Sequence, residues 1–206
     1  MFKNVEIEAK TLSEATKKAK ELLKISEDRI KLTVLKEKKG ILGIGASTLY
    51  LAEVDIDLVT EGKKYLDNIL SALSIESKME MRTLNGNEFY YRIESNENAL
   101  IIGRDGRTLL AIQTLLRSYL NSFTTEPILV TLDIGNYNEN RKRQLEILAT
   151  KTAKQVAFTK KSIALEPMNA FDRRIIHSKL SEWRDVETES EGEGENRRII
   201  VKAKRK

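Results

Sequence analysis

The pattern of apolar and polar positions divides the chain into three successive groups of secondary-structure elements. In the first group, alternation over residues 5–9 predicts a strand, a helix follows, and two further strands are predicted near 30–36 and 48–57. The hydroxyl of Thr11 and the carboxylate of Glu14 form a capping box at the start of this helix. The predicted order of the first group is β-α-β-β.

The second group begins after predicted turn residues at 60–62. Its helices and strands are predicted at 63–74, 77–84, 88–94, 97–102, 106–121 and 128–132. The dipeptide Asn85-Gly86 between the first two strands is the strongest short signal for a β-hairpin. The predicted order is therefore α-β-β-α-α-β.

The third group contains two helices and short strands. A long helix is predicted to begin at a cap on Asn136 or Asn138 and to end near Phe158. A second helix is predicted from Pro167, since proline fits the first turn of a helix, to about Trp183. Strands are predicted near 162–165, 184–189 and 197–203.

These groups predict an α+β protein with three small domains, at residues 1–57, 60–134 and 137–206. Charge is distributed unevenly among them. The whole chain has a net charge of +5, and residues 137–206 carry 17 basic and 11 acidic side chains, whereas residues 58–136 carry 8 and 10. The excess positive charge of the last domain favours an anionic partner.

Composition excludes several kinds of chemistry. The chain has no cysteine and one histidine, His177, so disulfides, thiolate nucleophiles, Cys-ligated zinc and multi-His metal sites are excluded. A Ser-His-Asp triad through His177 stays compatible with the composition, but no nucleophile elbow accompanies it. We predict no catalytic residue, cofactor or metal site, and no enzyme. No apolar run reaches the roughly 20 residues that span a bilayer, so no membrane insertion and a cytoplasmic location are expected.

A glycine-rich loop lies between two predicted helices of the second domain. It comprises Ile102, Gly103, Arg104, Asp105, Gly106 and Arg107. Glycines let the backbone approach a ligand closely, and the following helix N-terminus and the arginines favour phosphate. The alternative is a plain helical corner, but the α-β-β-α-α-β order favours the backbone clamp of a type II KH domain, which binds RNA. Asp105 is expected to weaken this clamp.

The third domain contains a second candidate site. Arg173 and His177 are four residues apart and share one helical face, where they are predicted to hold phosphate; the alternative is an ordinary amphipathic helix with a hydrogen-bonding histidine. Tyr137 and Trp183 are interpreted as packing residues rather than base-stacking ones. Further cations predicted to contact nucleic acid are Arg141, Lys142, Arg143, Arg174, Arg197 and Arg198. The first three are placed in the first turn of the long helix, where the helix dipole disfavours positive charge unless an anionic partner is present.

A glycine-rich turn joins the last two strands of the first domain. It comprises Lys38, Lys39, Gly40, Ile41, Leu42, Gly43, Ile44 and Gly45. Ala46 stands where a nucleotide-binding loop needs lysine, and a strand follows rather than a helix, so we reject nucleotide hydrolysis. The apolar residues of the turn suggest either a protein contact or a hairpin folded onto its own sheet.

These three motifs together resemble the Jag family, also called KhpB or EloR, over essentially the whole chain. The resemblance implies a Jag N-terminal domain, a type II KH domain and an Arg-x-x-x-His domain. It also implies a bacterial RNA-binding regulator of cell elongation, division or sporulation. The implied partners are single-stranded RNA, with single-stranded DNA as a second ligand, and a small KH protein or a second copy of the chain. The alternative function is a protein adaptor that pairs with another KH protein and binds RNA weakly or not at all.

Overall fold

A computed structural model of the chain describes residues 2–38 and 46–204, so the glycine-rich turn at 39–45 lies outside the described residues. Within those ranges the protein has six α-helices and nine strands, which confirms the predicted α+β class. The chain divides into two compact units, Met1–Asp133 and Ile134–Lys206, and the first unit contains the first two predicted groups together. Among the described helices, none is both long and apolar enough to cross a bilayer.

The N-terminal module has the predicted β-α-β-β order. Its elements are β1 (Asn4–Ala9), α1 (Leu12–Leu23), β2 (Ile30–Lys38) and β3 (Ser47–Val54), and the strands are ordered β1-β3-β2. The capping box is formed: the Thr11 hydroxyl accepts from the Glu14 N–H at 3.2 Å. The Glu14 carboxylate accepts at 3.0 Å from the N–H of Lys10, one residue before the cap. Helix α1 therefore begins where the sequence predicts it.

The middle module has the predicted α-β-β-α-α-β order. Its elements are α2 (Leu58–Ala72), β4 (Ser77–Thr83), β5 (Glu88–Ser95), α3 (Asn98–Ile102), α4 (Arg107–Asn121) and β6 (Leu129–Ile134). The strands are ordered β4-β5-β6, and the hairpin between the first two contains Gly86 with a φ of 74°. Alternate residues of β5, among them Tyr91 and Ile93, are buried with Leu66 of α2 and Leu116 of α4. Helices α2 and α4 thus both contribute buried side chains to this core.

The turn predicted at residues 60–62 is wrong, because these residues belong to α2. The carboxylate of Asp57 caps the helix earlier, accepting from the backbone N–H groups two and three residues later at 3.3 and 3.1 Å. Gly62 lies inside the helix, where a Cβ atom would stand 2.1 Å from the Tyr91 hydroxyl oxygen. This glycine therefore permits close packing of a helix on a sheet and does not mark a turn.

A buried ion pair connects the two modules of the first unit. Glu61 is only 5% exposed, and its Oε1 lies 2.9 Å from Arg29 Nη2. The Tyr119 hydroxyl donates to the same oxygen at 2.5 Å, and Arg29 Nη1 donates to that hydroxyl at 3.2 Å. The Lys3 N–H also donates to the Phe123 carbonyl at 3.0 Å. Burial and the bond to Glu61 raise the pKa of Tyr119 above its ordinary value, so the phenol stays a donor.

The second unit packs two helices on a small sheet. Its elements are α5 (Tyr137–Thr159), β7 (Ile163–Ala164), α6 (Ala170–Leu180), β8 (Val186–Glu191) and β9 (Arg198–Ala203). The strands are ordered β7-β9-β8, and β8 runs antiparallel to β9. Leu145 and Val156 of α5 meet Ile176 of α6 and Val201 of β9 in the core.

The start and end predicted for the second helix of this unit are wrong. Helix α6 begins after Asn169 rather than at Pro167, because the Asn169 side chain accepts from the Asp172 N–H at 2.9 Å. The helix ends at Leu180 and does not reach Trp183. The proline therefore lies in the segment before the cap.

We predict that Gly62→Ala destabilises the first unit by about 1–3 kcal/mol, because the added methyl group collides with Tyr91. At an exposed helical site the same change stabilises by about 1 kcal/mol. Urea denaturation followed by circular dichroism measures the difference, with Ser71→Ala at an exposed position of the same helix as the control. Unchanged or increased stability of Gly62→Ala would contradict the packing role.

We predict that Asp57→Ala lowers the free energy of unfolding by about 1 kcal/mol at neutral pH. The hydrogen bond from the Thr60 hydroxyl holds the pKa of the Asp57 carboxyl below its ordinary value. The stabilisation is therefore complete above the ordinary carboxyl pKa and is lost as the pH falls through the lower pKa of the folded state. Denaturation at neutral and acidic pH should show a smaller cost in acid, and Glu76→Ala is the control for an exposed carboxylate. A cost that does not change with pH would contradict this assignment.

Candidate nucleic-acid interface

The backbone of the glycine loop between α3 and α4 turns sharply through left-handed residues. Gly103, Asp105 and Gly106 have φ values of 69°, 52° and 75°, and the Gly106 N–H donates to the Gly103 carbonyl at 3.3 Å. A Cβ atom at Gly103 would lie 2.1 Å from Thr108 Oγ1, so no other side chain fits without movement. Asp is among the few non-glycine residues that enter this conformation readily. The loop geometry therefore requires glycine at 103, favours it at 106 and tolerates the aspartate.

No N-cap side chain covers the start of α4 at this loop. Gly106 occupies the N-cap position and has no side chain to cap the first turn. The N–H groups of a helix N-terminus attract anions, and Arg107 is the first residue of α4. The Arg104 side chain is 89% exposed, with its Nε 3.8 Å from Asp105 Oδ2. Such an exposed pair is weak, so Arg104 can turn to a phosphate while Asp105 opposes it.

Arg173 and His177 lie on the face of α6 that contacts β8. Arg173 Nη1 donates to Ser190 Oγ at 3.0 Å, and His177 Nδ1 lies 2.6 Å from Thr188 Oγ1. Four residues of a helix and two residues of a strand both span about 6–7 Å. The spacing of Arg173 and His177 on α6 therefore matches that of Ser190 and Thr188 on β8. Sequence reasoning missed the two hydroxyl residues. The alternation of glutamate and hydroxyl residues along the predicted strand is the signal that places them on one face.

Arg141 has a structural partner inside the second unit. Because α5 begins at Tyr137, residues 141–143 lie in its second turn and not in the predicted first turn. Arg141 Nε and Nη2 both donate to Asp172 Oδ2, at 3.1 and 2.9 Å, and Asp172 is 2% exposed. The Arg141 side chain therefore holds α6 against α5, and its position needs no anionic ligand to explain it.

The other predicted cations lie in two surroundings of opposite charge. Lys142, Arg143 and Arg174 are exposed on the two helices. Arg197 and Arg198 are exposed after the turn that connects β8 to β9. Residues 137–180 carry 10 basic and 4 acidic side chains, whereas residues 181–196 carry 1 and 7. Three of these acids alternate along β8, and one of them, Glu191, pairs in register with Arg198. The helical side of the unit is therefore the strongly positive one.

Trp183, Lys202 and Lys204 have contacts within the second unit. Trp183 packs against the core of the second unit, as the sequence predicts. Lys204 Nζ donates to the Trp183 carbonyl at 2.7 Å, and Lys202 pairs with Glu189, so both lysines have partners within the second unit. No group of three or more potential metal-ligating residues occurs within the described ranges.

Comparison with known proteins identifies two domains of the chain. The model of the Arg-x-x-x-His domain, a family named for an arginine and a histidine separated by three residues, matches residues 143–203. The Jag N-terminus model matches residues 7–49. RNA-binding protein KhpB of Bacillus subtilis (strain 168) is 37% identical over 99% of this chain and 100% of the relative. The chain belongs to the KhpB family, also called Jag. The family resemblance inferred from the three sequence motifs is thereby confirmed.

Other members of the KhpB family agree with this assignment. RNA-binding protein KhpB of Clostridium symbiosum is 33% identical over 98% of this chain and 92% of that protein. RNA-binding protein KhpB of Streptococcus pneumoniae serotype 2 (strain D39 / NCTC 7466) is 32% identical over 71% of this chain and 45% of that protein. These names designate binding proteins and not enzymes, in agreement with the prediction for this chain.

We predict that Arg141→Met and Asp172→Asn each cost about 3–5 kcal/mol of unfolding free energy in the second unit, because each leaves a buried partner unpaired. The double replacement Arg141→Met with Asp172→Asn should cost less than the sum of the single replacements. Trp183 is the single tryptophan and packs on this core, so its fluorescence reports unfolding of the second unit.

Arg143→Met provides the matched control, because Arg143 forms an exposed ion pair with Glu139 one turn before it on the same helix. Such a pair contributes about 0.3–0.5 kcal/mol. An equal cost for the Arg141 and Arg143 variants would exclude the structural role of the buried pair.

Proposed function

We propose that this chain is a cytoplasmic protein that binds single-stranded RNA. The observation that carries the proposal is the glycine loop, in which the N-terminus of α4, which no N-cap side chain covers, follows the exposed Arg104 side chain. The relatives of this chain are named RNA-binding proteins. Control of gene expression after transcription, linked to cell elongation, division or sporulation, is part of the proposal through the family resemblance.

The middle module is proposed to act as a type II KH domain. Its element order and its loop between α3 and α4 support this, because KH domains clamp the nucleic-acid backbone with a Gly-x-x-Gly loop. Leu100 of α3 and Leu110 of α4 are exposed on the two helices that meet at the loop. Exposed apolar residues beside an anion site suit bases whose phosphates are held by backbone N–H groups.

The second unit is proposed to supply most of the electrostatic affinity. Its helices carry the positive charge, whereas the middle domain has a small acidic excess. Binding through lysine and arginine contacts to phosphate depends on the release of counterions and so weakens as salt increases. Single-stranded DNA offers the same phosphates, and a contact to the ribose 2′-hydroxyl is what favours RNA.

A second candidate function is pairing with a KH-domain protein or with another copy of this chain. The observation that favours it is Leu115 of α4, which is 54% exposed in a module of net negative charge. An exposed leucine on a helix suits a protein interface better than it suits a phosphate backbone. For this function the carboxylate of Asp105 would not be unfavourable, because no phosphate binds at the loop.

We predict that Arg104→Asp weakens binding of a fluorescein-labelled oligouridine by about tenfold, because it replaces a charge-assisted contact by repulsion. Asp105→Asn should strengthen binding, since asparagine keeps the left-handed backbone and removes the opposing charge. Fluorescence anisotropy at about 50 and 200 mM salt measures both effects, and affinity should fall steeply between these concentrations.

Arg82→Asp is the control for Arg104→Asp, because it reverses one exposed arginine on β4 of the same module. Absence of RNA binding by the wild-type chain at low salt would refute the proposed function. RNA binding equal in the Arg82 and Arg104 variants would refute the loop as the contact. Capture of a KH-domain protein or self-association, in a chain that binds no RNA, would support the adaptor function instead.

A further inference from the structure

A groove runs between α5 and α6 on the second unit. It consists of two adjoining depressions that share Glu146 of α5 and Lys179 of α6. One depression reaches Phe171 and Arg174 on α6, and the other follows α5 as far as Lys154. Because the shared residues line both depressions, they form one continuous surface track.

The groove is strongly basic. Its walls contain six cations against the single carboxylate of Glu146: Lys142, Arg143, Lys151, Lys154, Arg174 and Lys179. Lys179 Nζ lies 4.0 Å from Glu146 Oε2, at the limit of an ion pair, and Arg143 pairs with Glu139. Among the described residues, Lys142 and Arg174 have no ion-pair or hydrogen-bond partner for their side chains. These two cations are therefore available to an external anion.

An aromatic ring stands at the end of the groove beside these two cations. Phe171 is 60% exposed although it belongs to the first turn of α6. An exposed phenylalanine ring costs free energy in water, and a base stacked on it would recover that cost. Cations combined with an exposed aromatic ring match a single strand, whose unpaired bases can stack while its phosphates follow the positive charge.

The groove and the Arg-x-x-x-His pair occupy different faces of α6. Phe171 and Lys179 belong to one row of residues spaced by four, and Arg173 and His177 belong to another. The second row contacts hydroxyl residues of β8, the strand that also carries three glutamates. The groove itself has a single carboxylate, that of Glu146, along its whole length.

From this arrangement we infer that the α5–α6 groove is the track on which the second unit binds single-stranded RNA. Lys142 and Arg174 hold phosphates, Phe171 stacks on a base, and Lys151 and Lys154 continue the track along α5. Arg173 and His177 contact Ser190 and Thr188 of β8 on a different face of the helix. This inference rests on the proposed RNA-binding function and assigns a path within it.

The first test removes the two unpaired cations. Lys142→Ala with Arg174→Ala should weaken binding of oligouridine to the full chain about tenfold or more at low salt. The slope of log affinity against log salt should decrease by about 0.7 for each phosphate that the variant no longer neutralises. Lys161→Ala with Arg184→Ala is the matched control, because it removes one exposed lysine and one exposed arginine of the same unit outside the groove.

The second test concerns the aromatic ring. Phe171→Ala should weaken binding by about tenfold because a base can no longer stack there, without a change in the salt slope. Phe158→Ala is the control, because Phe158 is 89% exposed at the end of α5 and does not line the groove. In a Trp183→Phe background, oligouridine should quench the tryptophan fluorescence of the Phe171→Trp variant but not that of the Phe158→Trp variant. Circular dichroism checks the fold of each variant.

The outcomes separate this inference from the function on which it rests. If the groove variants match their controls while Arg104→Asp still weakens binding, the groove is not the RNA track and the proposed function stands. If the wild-type chain binds no RNA, the proposed function fails first. Binding to anionic phospholipid vesicles that depends on Phe171 and Lys142, without RNA binding, would overturn the inference in favour of a membrane surface.

Discussion

The buried carboxylate of Asp172 is the contact on which the proposed nucleic-acid face of the second unit depends. It accepts two bonds from Arg141 of α5, while its own N–H is held by the cap residue Asn169. A buried charge without its partner is costly, so the packing of α5 on α6 in which this pair forms is favoured. That arrangement forms the groove between the helices and places Arg173 and His177 over β8.

The two units present features of different physical kinds for the proposed binding of phosphate. In the first unit the feature is backbone: left-handed residues between Gly103 and Gly106 expose the start of α4. In the second unit it is side-chain charge on two helices. Backbone donors fix the position of a phosphate, whereas a field of lysine and arginine attracts a strand without fixing its sequence. A protein with both can combine placement with affinity.

The first unit is held together by a second buried carboxylate. Glu61 binds Arg29 from the N-terminal module and Tyr119 from α4. The surface of the middle module around Glu61 is therefore in contact with the N-terminal module. Removal of the N-terminal module would take away the Arg29 partner of Glu61. The Jag N-terminal module is therefore part of the structural support of the helix that begins at the glycine loop.

The sequence by itself determined the order of the elements, the capping box at Thr11, the hairpin at Gly86 and the family, because periodicity and turn chemistry are local properties. The sequence misplaced the start of α2, because Gly62 is needed for close packing against the Tyr91 side chain, which is distant in sequence. It also treated Arg141 and Lys142 alike, although they are adjacent in sequence. Only the tertiary structure decided that one is turned inward to a buried carboxylate and the other outward to the groove, because that choice depends on how α5 packs against α6.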